Sequence, residues 1–312
     1  MKNLVFSCII LLSSISVLAQ DADLKLNLEK NKTYRFKSIS EQNVSQTVNG
    51  MEQTTTTSSN TAFSIKMIDA TADFIIAEVR FDTLITKSNA MGKISDISSA
   101  TEGNIASEEA ADVMSYIMNR MSKNALYVKI DGTGKVIDIV NHNMMSDIVL
   151  KDTASIKGQM APILKTQIKN TVSKEALTSM IEGFTHNLPG KPVQKGDLWN
   201  VLTPFSAGGM TLDINTSYKL ETIKDTDAGI TAESVIKTAA NAKPMEYSGA
   251  KITYDGLGGM GKSTMTINTL TGLVTQSNAK FTITGDLNVS VQGMNMTIPM
   301  NIESKSTTSL VQ

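Results

Sequence analysis

Two stretches that alternate apolar and polar residues with a period of two flank one stretch of helical period. This order limits the chain to antiparallel sheet with helices inserted between its two parts. In the first stretch the apolar positions are Leu24, Leu26 and Leu28, then Tyr34 and Phe36, then Phe63, Ile65 and Met67, then Ile75, Ala77, Val79 and Phe81. From Leu24 to Lys87 these predict half-buried antiparallel strands. Asn49-Gly50, between two polar strands, predicts a tight hairpin because both central turn positions need positive φ. The threonine-rich tract Thr54 to Ser59 is strand-compatible and predicts a long exposed ribbon. Strand patterning resumes at Lys195 and continues to the end of the chain. The fold class expected is α+β: mainly antiparallel sheets, two similar β units, and a central helical segment packed in the sheet concavity.

The helical stretch is bounded by recognisable signals. Residues Met91 to Ala106 are small and acidic without periodicity and predict a linker or loop. Ser107 is the expected N-cap, with Glu108 and Glu109 in the first turn, where carboxylates suit the positive end of the helix dipole. Ala110, Val113, Met114, Ile117, Met118 and Met121 then recur at helical spacing and form a methionine-rich face. Leu126 to Asn141 predicts a hairpin around Asp131-Gly132-Thr133-Gly134. Further helices are expected around Met144–Leu150, Pro162–Val172 and Lys174–Phe184, the last capped by Ser173, and Leu188-Pro189-Gly190 ends the region. The organisation read from these signals is a leader over 1–19, a β unit with linker over 20–106, helices with one hairpin over 107–190, and a second β unit over 191–312.

Three blocks recur in the same order. Thr61–Thr83 aligns without a gap on Thr216–Thr238, Lys30–Tyr34 matches Lys195–Trp199, and Ile130–Val136 roughly matches Ile267–Val274. The expectation is an internal duplication of one β unit.

Residues 1 to 19 carry Lys2, the apolar run Leu4 to Leu18 and the small-residue site Val17-Leu18-Ala19, which read as a secretory signal removed before Gln20 or Asp21. The run is too short to span a bilayer, which takes about 20 apolar residues, and no other stretch approaches it, so no transmembrane helix is expected. The single cysteine, Cys8, lies inside the signal. The exported chain therefore has no disulfide, thiolate metal site or cysteine nucleophile. Its charge is close to neutral, and the only arginines, Arg35, Arg80 and Arg120, are scattered, which excludes a nucleic-acid surface as a reading. The expected location is periplasmic or extracellular.

Several of these blocks carry a family resemblance. Leu26–Lys30 with Tyr34-Arg35-Phe36, Phe63–Met67 through Ala77–Asp82, Asn124–Val128, and Leu188–Lys191 with Gly196–Trp199 are similar to an uncharacterised exported family of Bacteroidota, a domain of unknown function. The resemblance covers nearly all of the exported chain. It implies a cell-envelope protein and brings no activity and no site residues. The β-rich build with intervening helices more loosely resembles periplasmic lipoprotein carriers, whose curved sheet wraps helices around an apolar cavity.

No catalytic constellation stands out. Gly256-Leu257-Gly258-Gly259-Met260-Gly261-Lys262-Ser263 has the spacing of a phosphate-binding loop, yet Thr264–Ile267 alternates as a strand where such a loop needs a helix N-terminus. A glycine-rich strand is expected, and no nucleotide. Met294, Met296, Ile298, Met300 and Ile302 share one strand face. The thioether row could suit Cu(I), but simple alternation accounts for it, so no metal and no cofactor are expected. His142 and His186 lie near helix ends, too few for a three-histidine zinc site. Glu78 and Glu233 occupy matching repeat positions and read as exposed strand glutamates. Trp199 and Tyr34 read as aromatic plugs at strand starts.

The function expected is a non-enzymatic envelope protein that binds a lipid, another apolar ligand or a lipoprotein. The faces proposed for the ligand are Met114, Met118 and Met121 on the helix and Met294, Met296 and Met300 on the strand. The alternative is a structural or protein-interaction module, with an envelope protein partner, in which the ribbon from Asn43 to Ser59 offers edges for β-addition. An outer-membrane barrel lacks its aromatic girdles and terminal aromatic here.

Overall fold

The computed structural model describes residues 21–48, 50–159, 161–207, 209–247 and 249–311. The leader read over 1–19 lies outside the described residues. The first six strands are β1 (Thr33–Val48), β2 (Met51–Ala70), β3 (Phe74–Ala90), β4 (Lys93–Ser98), β5 (Leu126–Asp131) and β6 (Val136–Ile139), the last two following the first helix. Those after them are β7 (Leu198–Ala207), β8 (Met210–Lys224), β9 (Asp227–Thr238), β10 (Met245–Tyr247), β11 (Ala250–Thr253), β12 (Gly258–Asn268), β13 (Val274–Val291) and β14 (Met294–Val311). The helices are α1 (Ala110–Lys123), α2 (His142–Leu150), α3 (Ala161–Thr171) and α4 (Lys174–Thr185).

All strands join one open antiparallel sheet, in the order β6-β5-β3-β2-β1-β14-β13-β12-β9-β8-β7, with β4 on β3 and the β10–β11 hairpin on β13. The two β units expected from sequence are thus continuous. The order holds two five-strand meanders, β1-β2-β3-β5-β6 and β7-β8-β9-β12-β13, with β14 seated between β1 and β13. The three recurring sequence blocks fall on topologically equivalent strands of the meanders. Their registers differ. The first hairpin closes with Ala70 opposite Ile75, the second with Lys224 opposite Asp227, so the second turn is tighter. Glu78 consequently faces Lys66, whereas Glu233 faces Ser217. The gapless alignment holds for sequence and fails for pairing beyond the turn.

Three expectations are corrected. Residues 93–98, read as linker, form β4, because Ile97 packs on the main core and the Ser115 hydroxyl on α1 accepts from the Ser98 amide at 3.0 Å. The N-cap position of α1 is Glu109, and Ser107 instead accepts from the Glu109 amide in the preceding turn. Most of the ribbon Asn43 to Ser59 offers no edge: β1 up to Gln46 pairs with both β14 and β2, and β2 from Thr55 onward pairs with both β1 and β3, which leaves only the tip, Thr47–Val48 and Met51–Thr54, paired on one side. Gly50, at φ +77°, lies in the turn that sets Val48 opposite Met51, and Asn49 before it is outside the described residues.

Leu24, Leu26 and Leu28 are buried as their alternation requires, but not in a ladder. Residues 21–29 run extended across one end of the sheet, with a single bridge from Ala22 to Val193. The Leu26 amide donates to Gly132 O at 2.8 Å and the Asn27 amide to Thr271 O at 2.9 Å, so one segment fastens the β5–β6 and β12–β13 turns, which are equivalent turns of the two meanders. At Gly272 (φ +70°) a Cβ would lie 2.2 Å from Lys25 O, which explains the glycine.

Helix α4 joins the two ends of the sheet. It packs against β6, the terminal strand on one side, and β7, the terminal strand on the other. Its Ser173 hydroxyl accepts from the Ala176 amide, giving the cap expected from sequence. On the β6 side Glu182 Oε1 accepts from the Val136 amide at 2.9 Å, and Thr185 Oγ1 donates to Gly134 O at 2.6 Å. On the β7 side the Ser179 hydroxyl donates to Pro204 O at 3.1 Å and accepts from the Ser206 amide at 3.2 Å. Unpaired edge groups are costly when buried and invite foreign strands when exposed. Here polar side chains from one helix satisfy two such groups on each side.

Two cores fill the sheet. The main one gathers both meanders, the helices and residues 22–28, with Phe36, Phe63 and Phe81 fully buried on the N-terminal side and Trp199, Leu220 and Ile267 buried on the C-terminal side. Phe184 of α4 stacks on Phe63 at 4.6 Å with rings 2° apart. A second core forms where Tyr254 and Leu257 fold over Leu212, Ile236, Met300 and Ile302.

Leu24→Ala empties a fully buried site at the crossing segment and is expected to cost about 2–5 kcal/mol, read by denaturant unfolding. Ser179→Ala leaves the Ser206 amide and Pro204 carbonyl without their partner and is expected to cost about 1–3 kcal/mol in the same assay.

Candidate functional site

The inner faces of the two meanders differ in side-chain size. Along β1, β2 and β3 the inward positions carry Phe36, Phe63 and Phe81, and Phe36 and Phe63 pack on Phe184. The corresponding face of the C-terminal strands carries Ser263, Ser277, Ala279, Ser306 and Thr308. Small residues opposite a helix leave space. A cavity of about 370 Å³ lies there, between α4 and β7, β8, β12, β13 and β14.

Its apolar lining is largely aromatic, with Phe36, Phe184, Phe205 and Phe281 joined by Ile214, Met265 and Val274. Tyr218 stacks with Trp199 at 5.5 Å and 12°, and burial pushes its phenol up to about 12, so it stays neutral. Thr216 and Ser234 hydroxyls bond each other at 2.9 Å on the same wall. Trp199 Nε1 donates to Asn187 O at 3.0 Å, fixing the chain where it leaves α4. Trp199 and Tyr34 are both buried at strand starts, as expected from sequence.

The polar end of the cavity comes from the end of α4. Glu182 spends Oε1 on the Val136 amide, and its Oε2 lies 3.8 Å from His186 Nδ1. That is beyond hydrogen-bond reach. The Glu182 and His186 side chains are 4% and 10% exposed. His186 Nδ1 and Asn187 Oδ1 are buried without a partner among the described residues. Buried polar atoms are nearly always satisfied, and here two orphans fall on adjacent residues, both closed to solvent.

None of the six methionines lines this cavity. Met114 and Met121 are buried in the main core, with Met118 packed against it, where α1 covers β3 and β4. Met300 is buried in the second core, while Met294 and Met296 are 65% and 38% exposed toward the β13–β14 turn. The two methionine faces belong to different cores and are not brought together. The signal that could have found the cavity is the run of small inward residues Ser277-x-Ala279 and Ser304-x-Ser306-x-Thr308, where a filled sheet would carry Val, Ile or Leu.

The remaining motifs have structural roles. Gly258–Asn268 is strand β12, as expected, and a Cβ on Gly261 would lie 2.3 Å from the Phe281 ring that covers it. His142 Nε2 lies 3.0 Å from Val172 O at the end of α3. Glu78 pairs with Arg80 at 2.6 Å, and Glu233 with Lys262 at 3.1 Å. Among the described residues there is no group of His, Asp and Glu that could hold a metal ion.

A shallower groove of about 890 Å³ crosses the outer face of the same strands. Glu41, Lys305, Lys280, Lys262 and Glu233 stand directly opposite one another there on β1, β14, β13, β12 and β9. Lys305 pairs with Glu41 and Lys262 with Glu233, which leaves Lys280 between two like charges.

The DUF6263 family, a family of unknown function, matches residues 72–274, more than half of the chain. The chain belongs to the DUF6263 family. The matched segment of this DUF6263 chain includes all of α4 with Glu182, His186 and Asn187, and stops short of Ser277 and β14. No curated protein matched the sequence. Among solved structures, lipovitellin aligns over 92% of this chain and 26% of its own, at 10% identity and a TM-score of 0.48. The chain thus spans about a quarter of the lipovitellin chain. An outer membrane channel from Pseudomonas putida F1 aligns over 93% of this chain and 98% of its own at 7% identity and a TM-score of 0.26. OccK11 (OpdR) of Pseudomonas aeruginosa aligns over 91% and 99% at 6% and 0.22. At these scores none of the three bears on function. No helix among the described residues is long and apolar enough to cross a membrane.

Like charges directly opposite on a sheet destabilise it. Lys280→Thr is therefore expected to raise the melting temperature by about one degree, with the gain shrinking as salt is added.

Proposed function

We propose that this DUF6263 chain is an exported, non-enzymatic binding protein that holds one small, largely apolar molecule between α4 and the C-terminal meander. The observation that carries the reading is the cavity of about 370 Å³, lined by four phenylalanines and by small residues, most of them hydroxylated. Pockets for small ligands run from about 300 to 1,000 Å³, mostly apolar with a few placed polar groups. This one sits at the low end. It suits a single-chain or compact cyclic molecule and is small for a two-chain lipid. The ligand site therefore moves from the methionine faces to the inner face of β12, β13 and β14. Export rests on the leader-like residues 1–19, and the non-enzymatic reading on the lack of a nucleophile–base pair in the sequence.

Native mass spectrometry of the exported chain, purified without detergent and then extracted with organic solvent, is expected to show one retained small molecule. Ala279→Phe places a ring beside Phe281 in the cavity and is expected to abolish retention while the circular dichroism stays unchanged. A bare-chain mass together with no uptake of a neutral environment-sensitive naphthalene dye would overturn the reading.

A further inference from the structure

We infer that the groove on the outer face of the C-terminal strands is an anion site, in which Lys280 and its neighbours Lys262 and Lys305 hold a phosphate group. The inference is independent of the inner cavity, which lies on the opposite face of the same strands.

Strand register builds the site. Lys262, Lys280 and Lys305 stand directly opposite one another on β12, β13 and β14, so their backbones are about 4.8 Å apart. Their flexible four-carbon stems are longer than that spacing, which lets the ammonium groups gather over one point. Each outer lysine has an acid of its own: Lys305 reaches Glu41 at 2.7 Å, and Lys262 reaches Glu233 at 3.1 Å. Lys280 forms no ion pair among the described residues. Its same-face neighbours along β13, Asn278 and Thr282, are uncharged, and the acid diagonal to it, Glu303, faces Thr282. The row therefore carries a negative charge at each end and three positive charges between, with the unmatched one at its centre. An acid at the middle position would relieve the row. Here that position is a lysine, and a bound anion supplies the missing charge.

The next row on the same face provides hydrogen-bonding groups. Thr231, Thr264, Asn278 and Thr307 stand opposite one another, two residues along each strand from the charged row. Asn278 Oδ1 accepts from the Thr307 hydroxyl at 3.0 Å, so its amide nitrogen remains to donate. Ile39 lies beyond Thr307 at one end of this row, and Leu198 lies beyond Lys219 at the other. The groove of about 890 Å³ spans both rows and has room for more of a ligand than its anionic group. Phosphate fits the lysines better than carboxylate does. A phosphate monoester carries a charge of about −1.5 to −2 at neutral pH and three acceptor oxygens, enough to serve all three ammonium groups, whereas a carboxylate brings a single charge.

The test is thermal unfolding of the full exported chain in sodium phosphate, acetate and chloride at equal ionic strength, with the same series on Lys280→Thr and Lys280→Arg. Phosphate at about ten times its dissociation constant is expected to raise the melting temperature by about 2–4 °C over chloride, and acetate by less. Lys280→Thr is expected to lose this extra rise and Lys280→Arg to keep it. Phosphate also stabilises folded chains through exclusion from their surface, a contribution common to all three proteins, so the difference between them reads the site. A second arm measures co-sedimentation with phosphatidylcholine vesicles, with and without phosphatidic acid, whose headgroup is a phosphate monoester. A response to soluble phosphate assigns the site to free or small-molecule phosphates. Capture by phosphatidic acid vesicles alone, lost in Lys280→Thr, assigns it to a lipid headgroup. Equal behaviour of the unsubstituted chain and Lys280→Thr in both arms, or equal shifts from phosphate and acetate without vesicle capture, would overturn the inference.

Discussion

A sheet that ends in free strands exposes two rows of unpaired amides and carbonyls, and in this chain polar side chains of one helix reach groups on both rows. Glu182 and Thr185 serve the β5–β6 side, and Ser179 serves β7. Because β6 and β7 are the two terminal strands of the sheet, these bonds require the sheet to curve until both ends reach α4. Curvature then makes an inside, and the rest of the architecture follows from having one. Phe184 fills the part that faces the N-terminal meander. Residues 21–29 cross one end, and Tyr254 with Leu257 cover the second core. A buried glutamate is an expensive edge cap, since its charge is desolvated. Glu182 also lines the cavity, so the residue that caps the sheet edge helps shape the space beside it.

The doubled meander explains why the two halves can differ in content while sharing a plan. Equivalent strands give equivalent turns, and residues 25–27 fasten both with backbone bonds that ask little of side chains. Side chains are then free to diverge. The first meander buries phenylalanines, whereas the later one presents serine, alanine and threonine inward along β12, β13 and β14. A filled half next to a half with space is what a rigid binding cavity needs, because the packed half holds α4 in place whether or not the space is occupied.

Much of this was legible in the sequence. The antiparallel α+β class, the four helices, the Ser173 cap, the turn at Gly50 and the equivalence of the repeated blocks all follow from periods and turn residues, which act locally. What was illegible depends on distant partners. The alternation at Leu24, Leu26 and Leu28 reports burial of one face and says nothing about whether the backbone joins a ladder. The apolar content of β4 is too slight to betray a strand whose partner supplies the other half of the pairing. The threonine ribbon looked like an edge because its side chains are polar on both faces, yet β3 and β14 complete the pairing on either side. The methionines drew attention as soft apolar faces, but softness also suits a filled core, and that is where Met114 and Met121 sit. The cavity was missed because it is written in small residues, and an absence of bulk is a weak signal until the opposite wall is known.

The central claim is that α4 closes both edges of the sheet as one cooperative unit. Native-state hydrogen exchange on the Val136 and Ser206 amides, compared with amides inside α4, tests it most directly. The account predicts that the two edge amides open with the same free energy as the helix and respond together to denaturant. Rapid exchange at either edge while α4 remains protected would contradict it.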